Sequence, residues 1–151
     1  AWITALNHDG PTALILSRQN LPILAETNVD LAKKGAYFLK EDDGANTTLI
    51  ATGSEVSLCM EYAANEPVNV LSIPSWELAE QFSPEIQMWE EYSAIKRVIS
   101  VEAGVTLGWS RYADRSIGID RFGTSAPGNQ VMDALGINIS NIDREVKTGG
   151  N

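Results

Sequence analysis

From Ala36 onward the sequence alternates short β-forming runs with stretches of helical spacing, and that alternation restricts it to a layered α/β fold. Tyr37-Phe38-Leu39 reads as a strand before the turn Glu41-Asp42-Asp43-Gly44. Thr47–Thr52, Val68–Ile73, Arg97–Val101 and Ser116–Asp120 are further runs of strand length and composition. Between them, Val56, Cys59, Met60 and Ala63 share one stripe of a helix, with Ser54 placed as its cap and Glu55 facing its dipole. Trp76 to Tyr92 predicts helical pieces broken at Pro84, and residues 107–113 a weaker helix. Pro127 opens a helix with Val131, Met132 and Leu135 facing inward and Gly136 as its stop. A last short helix starts near Ser140 and Asn141, with Ile142 and Val146 on its buried side. Strands separated in this way pair mostly in parallel, with helices covering both faces.

The first 35 residues do not continue the pattern. Trp2, Ile3 and Leu6 suit the last turns of a helix, and Asn7-His8-Asp9-Gly10-Pro11 is a turn cluster. Thr12–Ser17 is an apolar run short enough for a buried strand. One strand and half a helix cannot bury both of their faces, so residues 1–25 are read as the remnant of a second α/β domain. Residues 26–35 then serve as a linker within a connector punctuated by Pro22 and Gly35, and residues 36–151 form the main domain. Trp2, Leu14, Ile15 and Leu16 are expected to fold back on that domain, pair with another copy or promote aggregation.

Charge and residue counts exclude several classes. The net charge is −9. Residues 1–40 carry four basic and three acidic side chains, whereas residues 41–151 carry seven basic and seventeen acidic ones. Such an acidic balance argues against nucleic acid or an anionic membrane as partner. Cys59 is the only cysteine, so no intrachain disulfide forms, which fits a reducing compartment. Cys59 falls on an apolar stripe and reads as core. His8 is the only histidine, which rules out a Cys/His zinc cluster, and its place in a turn makes it a solvent-exposed residue. No apolar run reaches the roughly 18 residues of a membrane span. The start Ala-Trp-Ile-Thr-Ala-Leu has no basic leader and is not read as a signal peptide.

Particular segments go beyond this general reading. Leu16-Ser17-Arg18-Gln19-Asn20-Leu21-Pro22 resembles the LSRQNLP segment of transketolases, and Ala51-Thr52-Gly53-Ser54-Glu55-Val56 is similar to that family's first C-terminal βα turn. Ile73-Pro74-Ser75-Trp76-Glu77-Leu78 looks like PSWEL. Val101-Glu102-Ala103-Gly104 with Gly108-Trp109 looks like EAG…GW. Ile119-Asp120-Arg121-Phe122-Gly123-Thr124-Ser125-Ala126-Pro127 looks like IDRFGxSAP. The segments come in the family's order, and the resemblance runs from about residue 10 to about residue 143.

The resemblance implies the end of a pyrimidine-binding domain followed by a C-terminal domain of three-layer α/β/α form. That domain has a mixed, mostly parallel five-stranded sheet with one antiparallel strand. It implies ketol transfer between sugar phosphates by the whole enzyme, a homodimer that uses thiamine diphosphate and a divalent metal (magnesium or calcium), in the cytoplasm or, in a photosynthetic eukaryote, the plastid. Arg18 matches the family's arginine for the substrate phosphate, and a guanidinium suits two phosphate oxygens. Without the motif, an arginine salt-bridged at a domain seam is the better reading.

No catalytic, cofactor-binding or metal-binding residue is assigned to this chain, because neither a GDG-type segment nor the activating glutamate has a match in it. The chain alone is therefore expected to be inactive. The competing readings are a non-catalytic module that stabilises a dimer or binds an effector, one subunit of a split enzyme, and a sister enzyme such as dihydroxyacetone synthase. Glu102, after a buried strand, would be a candidate acid or base, but the family's C-terminal domain has no assigned catalytic group. Glu55 would repel an anion at Thr52–Glu55, the acidic run at 41–44 reads as a solvated turn, and Trp76 and Trp109 read as packing residues.

Overall fold

The computed structural model describes residues 1–87, 89–94 and 96–148. The chain begins with α1 (Trp2–Asn7), none of whose residues is buried, and a short α2 (Val29–Ala32). Asn28 caps α2 by accepting the N–H groups of Asp30 and Leu31. Then come β1 (Tyr37–Lys40), β2 (Thr47–Ala51), α3 (Glu55–Ala63) and β3 (Val68–Ser72). Three short helices follow: α4 (Trp76–Phe82), α5 (Pro84–Gln87) and α6 (Trp89–Ser93). After β4 (Arg97–Val101) and a single 3-10 turn at Trp109–Arg111 come β5 (Arg115–Ile117), α7 (Gly128–Leu135) and α8 (Ile139–Lys147).

The five strands form one sheet in the order β1-β3-β2-β4-β5, with β1 antiparallel and the other pairings parallel. This is the mixed, mostly parallel five-stranded sheet that the resemblance implies. Its central strands are buried on both faces, and their side chains alternate between two cores. Leu49, Val70, Ile99 and Val101 meet Val56, Cys59 and Tyr62 of α3 and Ile142 of α8 on one face. Ile50, Leu71 and Val98 meet Ala79, Ile86, Trp89, Trp109 and Tyr112 on the other. Each fully buried leucine, isoleucine or valine in these layers contributes roughly 1.5–3 kcal/mol.

The second core contains polar groups, and they are satisfied. The Tyr92 hydroxyl accepts from Asn69 Nδ2 at 2.9 Å and also bonds the Thr48 hydroxyl. Asn69 Oδ1 accepts the Asp42 N–H at 2.8 Å. Trp89 Nε1 donates to the Tyr112 carbonyl at 3.0 Å, and its ring stacks on Tyr92 with centroids 5.2 Å apart. Such groups left unpaired would each cost about 1–3 kcal/mol, so these bonds fix how α6 sits on the sheet.

Several sequence expectations need correction. Thr12–Ser17 is not a strand: no sheet strand runs beside it, and no backbone–backbone hydrogen bond among the described residues involves residues 9–23. A strand exists only within a ladder, and without one this apolar run stays irregular, with Ile15 and Leu16 exposed. The helix expected over 107–113 shrinks to Trp109–Arg111, because Gly108 turns the chain at φ +92° and Asp114 N–H returns to the Val98 carbonyl. The last strand ends at Ile117 rather than Asp120, since Ile119 N–H leaves the ladder to bond the Gly104 carbonyl at 2.7 Å. Ser54 does not cap α3: its backbone is already helical, and its hydroxyl donates to Glu55 Oε1 at 2.6 Å. The caps lie elsewhere, at Ser75 for α4 and Asn138 for α8. Positions 149–151 of the expected 36–151 domain lie outside the described residues.

Gly35 controls the entry into the domain. It has φ +91°, and a Cβ there would lie 2.2 Å from the Ala79 nitrogen and 2.7 Å from the Ser75 carbonyl, both backbone atoms of the α4 region. Gly35→Ala is expected to destabilise the domain by about 2–4 kcal/mol, combining left-handed strain with an unyielding clash. Urea unfolding checks it, and a loss under about 1 kcal/mol would contradict this close approach.

Candidate functional site

Open parallel sheets place ligands outside the carboxyl ends of their strands. Here that edge carries Thr52-Gly53-Ser54-Glu55 after β2 and Glu102-Ala103-Gly104 after β4. Ala51 and Val101 are partners in neighbouring strands, so the two loops leave the sheet side by side. Glu55 is buried and receives the Ser54 hydroxyl. Glu102 is half-buried, its N–H bonded to the Ile117 carbonyl at 3.0 Å. Desolvation first, and the charge of Glu55 second, push the Glu102 carboxyl up to about 7. Neither glutamate takes part in an ion pair among the described residues.

The N-terminal segment reaches the same edge. Gly53 turns at φ +57°, and a Cβ built on it would lie 3.9 Å from the Ser17 hydroxyl oxygen. Arg18 follows in an exposed bend and joins no ion pair among the described residues, so the salt-bridge reading finds no carboxylate partner there. The connector closes over α3 and β1. Leu24 packs on the first core, and a shallow cleft of about 180 Å³ remains where Leu21 and Pro22 meet Tyr37, Leu39 and Val56. No carboxylate, histidine, cysteine, lysine or arginine lines that cleft, which makes it a packing seam rather than a reaction site.

The other singled-out residues are structural. His8 Nδ1 bonds the Thr12 hydroxyl at 3.1 Å in an exposed turn. Cys59 is fully buried, and desolvation raises its thiol pKa far above the ordinary value. Trp76 and Trp109 pack edge to face with centroids 5.0 Å apart. In the acidic turn, Asp42 accepts the Gly44 N–H at 2.9 Å and lies 3.6 Å from Lys40 Nζ. Among the described residues no group of three or more His, Cys, Asp or Glu stands together to hold a metal. Two glutamates at the sheet edge would repel a diphosphate. That edge, as the described residues form it, therefore does not suit thiamine diphosphate and its metal. The nearness of Glu55 to Glu102 was not anticipated from the sequence, because it depends on β2 and β4 being neighbours.

Glu102 makes stability pH-dependent. Its folded pKa lies above the ordinary 4.5, so its contribution is fully present below about pH 4.5 and is lost as pH rises through 7. Glu102→Gln is expected to be more stable than the parent at pH 8 by roughly 1–2 kcal/mol, a figure discounted for the side chain's solvent contact, with the gap closing near pH 5. Denaturant unfolding at the two pH values tests this, and equal gaps at both would remove the coupling.

The fold and this edge compare directly with known proteins. The family described as "Transketolase-like TK C-terminal domain" matches residues 35–138. The transketolase of Halalkalibacterium halodurans is 40% identical over 161 residues, covering 97% of this chain and 24% of the relative. That of Dictyostelium discoideum is 42% identical over 143 residues, covering 89% of this chain and 22% of the relative. Among solved structures, transketolase from Leishmania mexicana superposes with a TM-score of 0.85 at 30% identity, over 98% of this chain and 23% of that one. Transketolase from Campylobacter jejuni gives 0.80 at 34% identity, over 97% and 24%. The chain thus spans about a quarter of the length of the curated relatives it matches. With a family match across most of its β-sheet domain and relatives aligned through the Arg18 segment as well, the chain belongs to the transketolase family and contains that family's C-terminal domain.

Proposed function

We propose that the chain works as the C-terminal part of a transketolase that moves a two-carbon ketol unit between sugar phosphates. The observation that carries this is the 40% identity to a transketolase across 97% of the chain, which takes in the Leu16–Pro22 segment. In this reading thiamine diphosphate and a divalent metal supply the chemistry from the remainder of a homodimeric enzyme. The cytoplasm is the proposed compartment. Among the described residues no helix is long and apolar enough to cross a membrane.

Arg18 is the residue of this chain that touches substrate. Its exposed bend, and the lack of any ion pair to it among the described residues, leave the guanidinium available to grip a phosphate with two donors. It positions the sugar phosphate and moves no proton. The 151-residue chain alone is a non-catalytic module, because its sheet edge does not suit the cofactor.

Two outcomes are expected. In a transketolase polypeptide carrying this segment, Arg18→Ala lowers kcat/KM for a ketose phosphate by about ten- to a hundredfold, mostly through KM. An unphosphorylated ketol donor is little affected. Equal losses for both donors would exclude phosphate recognition. The isolated chain, given thiamine diphosphate, magnesium, a ketose phosphate and an aldose phosphate, shows no turnover in a coupled assay, and measurable turnover would overturn the module reading.

A further inference from the structure

Asp-Gly occurs twice in the chain, at Asp9-Gly10 and at Asp43-Gly44, and all four residues are exposed. In this dipeptide the aspartate side chain is open to attack by the next backbone nitrogen. Glycine puts no Cβ in the way and lets the peptide rotate. The structure treats the two pairs differently.

At Asp43-Gly44 the nitrogen is occupied. The Gly44 N–H donates to the Asp42 carboxylate at 2.9 Å, and the Ala45 N–H donates to the Asp42 carbonyl at 3.0 Å. Asp42 is itself anchored, since its N–H donates to Asn69 Oδ1 at 2.8 Å and its carboxylate lies 3.6 Å from Lys40 Nζ. A charge-assisted hydrogen bond on the Gly44 nitrogen opposes both the rotation and the loss of the amide proton that attack requires.

At Asp9-Gly10 the sequence removes the equivalent clasp. An aspartate in a turn closes on itself by accepting the N–H two residues further on, as Asp42 does with Gly44. For Asp9 that residue is Pro11, which has no N–H. The pair follows α1, none of whose residues is buried, and no backbone–backbone hydrogen bond among the described residues involves residues 9–23. The bond from His8 Nδ1 to the Thr12 hydroxyl, at 3.1 Å, arches over the pair and engages neither residue.

We infer that Asp9-Gly10 is a self-modification site, at which the aspartate isomerises to isoaspartate, and that the Asp42 carboxylate spares Asp43-Gly44 from the same reaction. The Gly10 nitrogen attacks Asp9 Cγ. The amide proton and the hydroxyl of the protonated carboxyl leave as water, and the new C–N bond closes a succinimide ring. Water then adds back. Addition at Cγ restores aspartate, whereas addition at the main-chain carbonyl carbon leaves the chain running through Cγ, with a free α-carboxylate. The mass is unchanged, nothing is oxidised or reduced, and the main chain gains one carbon between α1 and the Arg18 segment.

The test ages the 151-residue chain under folding conditions beside two peptides, residues 4–14 and residues 38–48. Isoaspartate is counted at each site after digestion, with an isoaspartyl carboxyl methyltransferase and a labelled methyl donor as the probe. Position 9 is expected to isomerise within about threefold of its peptide, because an unclasped turn opens at almost no cost. Position 43 is expected to run about tenfold or more below its peptide, the effect of one hydrogen bond to a charged group. Asp42→Ala brings position 43 up to the peptide rate, and Asp42→Asn, which keeps an acceptor oxygen, holds it slow. Position 9 slowed tenfold against its peptide overturns the inference, as does position 43 reacting as fast as position 9. A folded Asp42→Ala chain that still spares position 43 overturns the role of the Asp42 carboxylate. The comparison of the unaltered chain with its peptides decides the site even where that variant fails to fold.

Discussion

The parallel pairing of Thr47–Ala51 with Val68–Ser72 on one side and Arg97–Val101 on the other leaves the middle strand no edge open to water. Both of its faces are also buried. A strand in that position must carry apolar side chains in both directions, and each direction needs its own covering layer. Helices α3 and α8 cover one face, and α4–α6 with the Trp109 turn cover the other. The three-layer architecture follows from that requirement. Its consequence for function is geometric: the loops after β2 and β4 emerge together, so segments nearly fifty residues apart share one edge.

That shared edge explains how much was legible beforehand. Strands buried on both faces leave nearly continuous β-forming runs, and the five sheet strands were readable for that reason. Strand order leaves no such trace. Nothing in Thr52–Glu55 or Glu102–Gly104 says that β2 and β4 are neighbours, so the Glu55–Glu102 coupling became visible only with the fold. Thr12–Ser17 misled because an apolar run looks the same with or without a partner strand. Ser54 misled because a serine before a glutamate imitates a cap, whereas the turn at Gly53 has already set Ser54 in helical geometry. Asn28 and Asn138, residues of the right type at true helix starts, went unnoticed.

The candidate site divides along the same line. That an arginine follows an apolar run is plain from the residues, but a salt bridge would explain it equally well. The phosphate reading rests on the motif around Arg18. The exposure of Val105, Leu107 and Phe122 was hidden for a different reason. Phe122 lies in a segment quoted for its resemblance, and Val105 and Leu107 lie between two others, yet exposure depends on how loops are tied, and those ties cross from one loop to the other.

Cys59 has a consequence of its own. It is the chain's only thiol, sealed between α3 and the sheet, and its environment disfavours the thiolate that alkylating reagents attack. Modification must therefore wait until α3 lifts from the sheet. The molecule carries a native clock for that motion: the rate at which a thiol reagent consumes this single sulfur reports how often the central layer opens, with no label introduced.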